Sequence, residues 1–188
     1  MKPLLTVALV VVMVLTSLLF GGRAVFAADT ICSGSLGAVT VGNLRVPANR
    51  TCTLTGTRVT GSITVETNAY LTATRATISG SIISNGGKVI KVTAGTTVGG
   101  SITATQGCSA KIDGARITRD LVVEADRAVV SLTNNSVGGN LVALRNTSST
   151  WIAYNTIKGN LSCTGNNPPP NGRGNVVTGA KLDQCSKL

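Results

Sequence analysis

Val59-Thr60-Gly61-Ser62-Ile63 returns nineteen residues later as Ile78-Ser79-Gly80-Ser81-Ile82. Further copies read Val98-Gly99-Gly100-Ser101-Ile102, Ile117-Thr118-Arg119-Asp120-Leu121, Val137-Gly138-Gly139-Asn140-Leu141 and Ile157-Lys158-Gly159-Asn160-Leu161. Weaker copies stand around Gly42-Asn43-Leu44 and Val177-Thr178-Gly179. The phrase is a branched aliphatic, any residue, Gly, a small polar residue, then Ile or Leu. Its Gly position falls at 42, 61, 80, 100, 119 (an Arg), 139, 159 and 179, in steps of 19 or 20. A fixed period of this length marks a solenoid, in which each repeat buries its apolar face only against its neighbours.

The columns of the repeat say which solenoid. Two residues after the Gly stand Leu44, Ile63, Ile82, Ile102, Leu121, Leu141 and Leu161. Two before it stand Thr40, Val59, Ile78, Val98, Ile117, Val137, Ile157 and Val177. A third apolar column runs Leu54, Ala73, Val92, Ile112, Leu132 and Ile152. Around these positions apolar and polar residues alternate, the period of a strand with one buried face. Thr, Val, Ile and Gly abound where a helical repeat would need helix formers. A leucine-rich repeat would need several Leu per turn and fits poorly. The expectation is an all-β, single-stranded parallel β-helix of about 7–8 coils with a 19–20 residue period. Coils stacked at about 4.8 Å make a rod roughly 35–40 Å long. Gly is expected at a corner, for its freedom to turn. Asn135, Asn155 and Asn175 stand in register and are expected to hydrogen-bond one another at another corner.

Outside the repeat, Met1-Lys2-Pro3 is followed by an uncharged apolar run from Leu4 to Phe20, and Val25-Phe26-Ala27 ends in a small-x-small pattern. This reads as an export signal over 1–27, cleaved after Ala27. Retention of the same segment as a membrane anchor is the alternative. The mature domain, 28–188, would keep 15 basic and 7 acidic residues, because Lys2 and Arg23 leave the total of 17. Its net charge is +8, and it has no second apolar run of membrane-spanning length. Export permits disulfides. Cys32 and Cys52 are one coil apart, and Cys163 and Cys185 bracket the last irregular coil. Pairing them so would pin both ends, with 163–185 a closed cap. Four cysteines allow three connectivities, and Cys108 is a fifth.

The C-terminal stretch carries a resemblance. It runs Asn155-Thr156-Ile157-Lys158-Gly159-Asn160-Leu161-Ser162-Cys163-Thr164-Gly165-Asn166, then Pro168-Pro169-Pro170, then Gly174-Asn175-Val176-Val177-Thr178-Gly179, and ends Asp183-Gln184-Cys185. With the repeat over 38–182, it resembles small exported right-handed parallel β-helix proteins of actinobacteria and related Gram-positive bacteria, most of them uncharacterised. The resemblance implies a right-handed coil, export and a Cys163–Cys185 bond. It carries no activity. Bactofilins, polymer-forming β-helices of the cytoplasm, are similar in coil length and Gly-rich corners only.

No catalytic residue is expected. His is absent, which removes imidazole triads, proton shuttles and His metal sites. No cofactor or metal is called for, since there is no C-x-x-C pair. The favoured reading is an exported, non-enzymatic cell-wall or surface protein with a structural or binding role. Net positive charge favours an anionic wall polymer or polysaccharide as partner. Ile83, Val122 and Val142 in one outward row suit self-association. Basic residues spread over many coils without aromatic platforms argue against nucleic acid. The alternative is a carbohydrate-active enzyme, a lyase or hydrolase, or a carbohydrate-binding β-helix. Asp113, Asp120, Glu124 and Asp126 lie close in sequence among Arg116, Arg119 and Arg127, and form the candidate acidic patch. Trp151, Tyr154 and Tyr70 are candidates to stack on sugar rings. Ice binding is a third idea, carried by the Thr53/Thr55 and Thr72/Thr74 pairs and broken by Lys91, Lys111 and Asp113.

Overall fold

Thr30–Ile31, Leu44–Val46, Ile63–Val65, Ile82–Asn85, Ile102–Thr105, Leu121–Glu124, Leu141–Leu144, Leu161–Thr164 and Lys181–Asp183 pair in parallel as one nine-stranded sheet, here sheet A. Sheet B has eight strands, from Ser35–Leu36 through Thr51–Thr55 and Tyr70–Thr74 to Asn171–Arg173. Sheet C has eight short ones, from Thr40–Val41 through Arg58–Val59 to Val176–Val177. The chain visits A, B and C in turn, so each strand pairs with its equivalent one coil away. The result is a parallel β-solenoid of about seven turns. The computed structural model describes residues 29–188 apart from Ala94 and Cys108. The expected export signal, 1–27, and the state of Cys108 lie outside the described residues.

The three apolar columns are the three walls of one core. Leu44, Ile63, Ile82, Ile102, Leu121, Leu141 and Leu161 are buried on sheet A, and Leu54, Ala73, Val92, Ile112, Leu132 and Ile152 on sheet B. On sheet C, Val59, Ile78, Val98, Ile117, Val137 and Ile157 are buried. One member is corrected. Val41, not Thr40, pairs with Val59. The first corner is one residue shorter, so Thr40 stands outside. Cys32–Cys52 and Cys163–Cys185 are bonded, with Cα–Cα distances of 5.5 and 5.2 Å.

The Gly of the repeated phrase serves closeness rather than backbone freedom. None of Gly61, Gly80, Gly100, Gly139, Gly159 and Gly179 has a positive φ. A Cβ on Gly159 would lie 2.5 Å from Asn140 Oδ1 and 2.7 Å from Gly139 O. The small polar residue after each Gly fills the vacated space. Asn43 Oδ1, Ser62 Oγ, Ser81 Oγ, Ser101 Oγ, Asp120 Oδ1, Asn140 Oδ1 and Asn160 Oδ1 each accept a backbone N–H one coil on. Gly and its polar neighbour are therefore one device, repeated down the corner between sheets C and A. Positive φ occurs at the other two corners. Gly56, Arg75, Gly95, Gly114, Asn134, Tyr154 and Gly174 hold it between B and C; Gly86, Gln106, Ala125, Arg145 and Gly165 hold it between A and B.

Candidate functional site

A polar ladder runs inside each of these last two corners. Asn155 Oδ1 accepts the Asn135 N–H, and Asn175 Oδ1 accepts the Asn155 N–H. Their amide nitrogens donate to the carbonyls of Ile112, Leu132 and Ile152 at 2.8–2.9 Å. The expected stacking is present, but the left-handed backbone sits one residue earlier, at Asn134, Tyr154 and Gly174. Asn135, Asn155 and Asn175 are buried rungs that satisfy backbone groups where sheet pairing stops. A second ladder, Asp126, Asn146, Asn166 and Gln184, does the same between sheets A and B. Sequence reading missed it, because its residue types change from rung to rung.

The four carboxylates close in sequence occupy four separate stations. Asp113 ends a sheet B strand, and its Oδ1 accepts from Thr133 Oγ1 and Asn134 Nδ2. Those donors hold its pKa below the usual carboxylate range. Asp120 belongs to the polar column beside the repeated Gly, at the corner between sheets C and A, and accepts from the Asn140 N–H. Glu124 pairs with Arg145. Asp126 is inside the tube, 1% exposed. Each has its own partners, and no two share one. Among the described residues, no three Asp, Glu or Cys side chains group as metal ligands would.

Trp151 stands outward on sheet B between Ser131 and Asn171 and is 39% exposed. Tyr154 lies at the next corner, its ring against Gly174 and the Arg173 guanidinium 5.7 Å from its centroid. Tyr70 is also on sheet B, four rungs away, about 19 Å at the spacing of paired strands. The structure brings Trp151 and Tyr154 to one region and leaves Tyr70 apart. The outward column Thr53, Thr72, Lys91, Lys111, Ser131 and Trp151 confirms that charges break the Thr array after two coils. Sheet A presents Arg45, Thr64, Ile83, Thr103, Val122, Val142 and Ser162 in one row. Ile83 is exposed there, while Val122 and Val142 are half-buried.

Sheet C differs from both. Its outward column reads Thr40, Arg58, Thr77, Thr97, Arg116, Ser136, Thr156 and Val176. Beside it stand Thr60, Ser79, Gly99, Thr118, Gly138, Lys158 and Thr178. None of the chain's seven Asp and Glu is in either column. Ion pairs among the described residues are Arg45–Glu66 and Arg145–Glu124, so Arg58, Arg116 and Lys158 are not paired. Arg116, Thr118, Ser136, Gly138 and Lys158 line a hollow on this face. The three cations are spread over distant repeats, and only the register of the coil gathers them onto one side. Chemically this face offers hydroxyl donors and uncompensated positive charge to an extended anion.

Compared with models of protein families, with curated proteins and with solved structures, the chain matches none.

Proposed function

We propose that the chain is an exported, non-enzymatic rod that binds an anionic polymer of the cell wall or surface along sheet C. The observation that carries the reading is the carboxylate-free face holding Arg58, Arg116 and Lys158. Export rests on the pattern of Met1–Ala27, and the two disulfides are compatible with an extracellular protein. The winding is taken as right-handed, the hand that parallel strand crossovers favour, over 7–8 coils. A face fixed by backbone pairing on both sides of each inner coil suits a polymer because it loses little entropy on binding.

Cosedimentation of the full chain with Gram-positive walls, with and without their anionic polymer, tests the reading across a salt series. Binding that needs the anionic polymer and weakens with salt is expected. The triple variant Arg58→Gln, Arg116→Gln, Lys158→Gln should lose at least tenfold in affinity. Binding unchanged by the triple variant sinks the sheet C reading. Sugar released from the polymer in the same assay sinks the non-enzymatic one. A second reading has one observation of its own: Trp151, outward and partly exposed on sheet B, offers a stacking surface for a neutral polysaccharide. Salt-independent binding lost in Trp151→Ala would favour it.

A further inference from the structure

One buried side-chain oxygen among the described residues lacks a hydrogen-bond partner: Asp126 Oδ2. Asp126 heads the inner ladder between sheets A and B, whose next two rungs show what each side chain there must do. Asn146 Oδ1 accepts the Asp126 N–H at 3.0 Å, and Asn146 Nδ2 donates to the Val123 carbonyl at 3.3 Å. Asn166 Oδ1 accepts the Asn146 N–H at 3.0 Å, and Asn166 Nδ2 donates to the Ala143 carbonyl at 2.8 Å. Each rung thus needs one acceptor atom and one donor atom.

Asp126 supplies the acceptor: its Oδ1 takes the Gly107 N–H at 2.9 Å. The donor is owed to the Ala104 carbonyl, because Ala104, Val123 and Ala143 are aligned on sheet A. Where Asn has Nδ2, Asp126 has Oδ2. An ionised carboxylate there would set an anion beside a carbonyl oxygen in a site closed to water, at a large cost. A protonated carboxyl has the missing donor. We propose that in the folded chain Asp126 keeps its proton into mildly acidic solution, where an isolated carboxyl has lost it, that its Oδ2–H then donates to the Ala104 carbonyl, and that this rung is a joint that loosens as pH rises.

The surroundings agree. Burial pushes the Asp126 carboxyl up to about 6, opposed by the Gly107 N–H. The charged groups around it lie on the outside. Glu124 on the adjoining strand pairs with Arg145 from the next coil, while Arg127 and, on the sheet B side, Lys88 are exposed. Cys108, next to Gly107, lies outside the described residues. Asp120 makes a useful contrast: its Oδ1 meets N–H donors of Asn140, which suit a carboxylate.

The unfolded carboxyl titrates near 3.9. Between about 4 and 6 the folded chain holds a proton that the unfolded chain has released, so stability falls as pH rises through that window. The contribution is complete below about 4 and gone above about 6. A pKa raised this far amounts to roughly a hundredfold in the folding equilibrium. Asp113 and Glu66, which accept hydrogen bonds as carboxylates, act with the opposite sign on acidification. The test must therefore be a difference.

Urea unfolding of the full chain with disulfides intact is compared with that of Asp126→Asn from pH 4 to 8. The variant supplies Nδ2 at every pH. The two are expected to be close at pH 4, with the variant gaining about a hundredfold in folding equilibrium by pH 7. A difference that stays constant with pH overturns the proposal. Should the variant not fold, the Asp126 carboxyl carbon is followed by NMR in the unaltered chain. A midpoint near 6 supports the proposal, and one at or below 4 overturns it.

Discussion

Ala125 has a φ of 55°, in the left-handed region, where Gly86 and Gly165 stand in other coils. A side chain there strains the backbone, and Ala offers little contact in return. Ala125→Gly is expected to stabilise by about 1 kcal/mol, read from the urea midpoint. Gly159→Ala should do the reverse. Its new Cβ would press on Asn140 Oδ1 and the Gly139 carbonyl, at about 1–3 kcal/mol. Gly34→Ala, with nothing within 4 Å, serves as the neutral control. These glycines look alike in sequence, and this is where sequence reading stopped short. The repeat placed Gly61 and its equivalents at a corner but gave the wrong cause, because φ is invisible in a one-dimensional pattern. The residues that do turn left-handed include Gln106, Ala125, Arg145 and Tyr154, chosen without regard to glycine's preference.

At the scale of the element, stability comes from ladders. Leu121 packs between Ile102 and Leu141 in the sheet A column. Leu121→Ala should cost about 2–5 kcal/mol, because neighbouring coils are fixed by backbone pairing and cannot collapse into the gap. The Asn rungs make a different demand. Asn155→Leu leaves the Asn135 N–H and the Leu132 carbonyl without side-chain partners, at about 1–3 kcal/mol for each buried group. Urea denaturation of both variants checks these values, and a loss well below 1 kcal/mol in Asn155→Leu would show that water replaces the rung. The apolar ladders were legible because identical chemistry recurs at 19–20 residue steps. The Asn135–Asn155–Asn175 ladder was legible for the same reason. The ladder through Asp126 was not: its rungs are Asp, Asn, Asn and Gln, and the last step is 18 residues, so only register reveals it. The cationic face of sheet C was hidden likewise, its members Arg58, Arg116 and Lys158 being scattered in sequence.

For the whole molecule, a solenoid has only nearest-neighbour contacts, so its stability is distributed along one axis. Middle coils pair on both sides, and end coils on one. Each disulfide ties an end coil to its neighbour: Cys32 to Cys52, and Cys163 to Cys185. Closing a loop of about 20 residues stabilises by roughly 3 kcal/mol in the chain-entropy view. Amide exchange of the native chain should therefore be slowest across Ile82–Leu144. In reductant, exchange should accelerate by about a hundredfold in the strands Thr30–Val46 and Asn171–Asp183, while the middle changes little. That contrast separates local fraying from global unfolding. A uniform acceleration along the chain would mean that the coils melt as one cooperative unit and that the disulfides hold the whole rod. Protection confined to the ends would contradict the nearest-neighbour account itself. The expected gradient has a consequence for sheet C: Arg116 lies in the slow region and Arg58 and Lys158 at its flanks, so a polymer spanning all three would protect both flanks together.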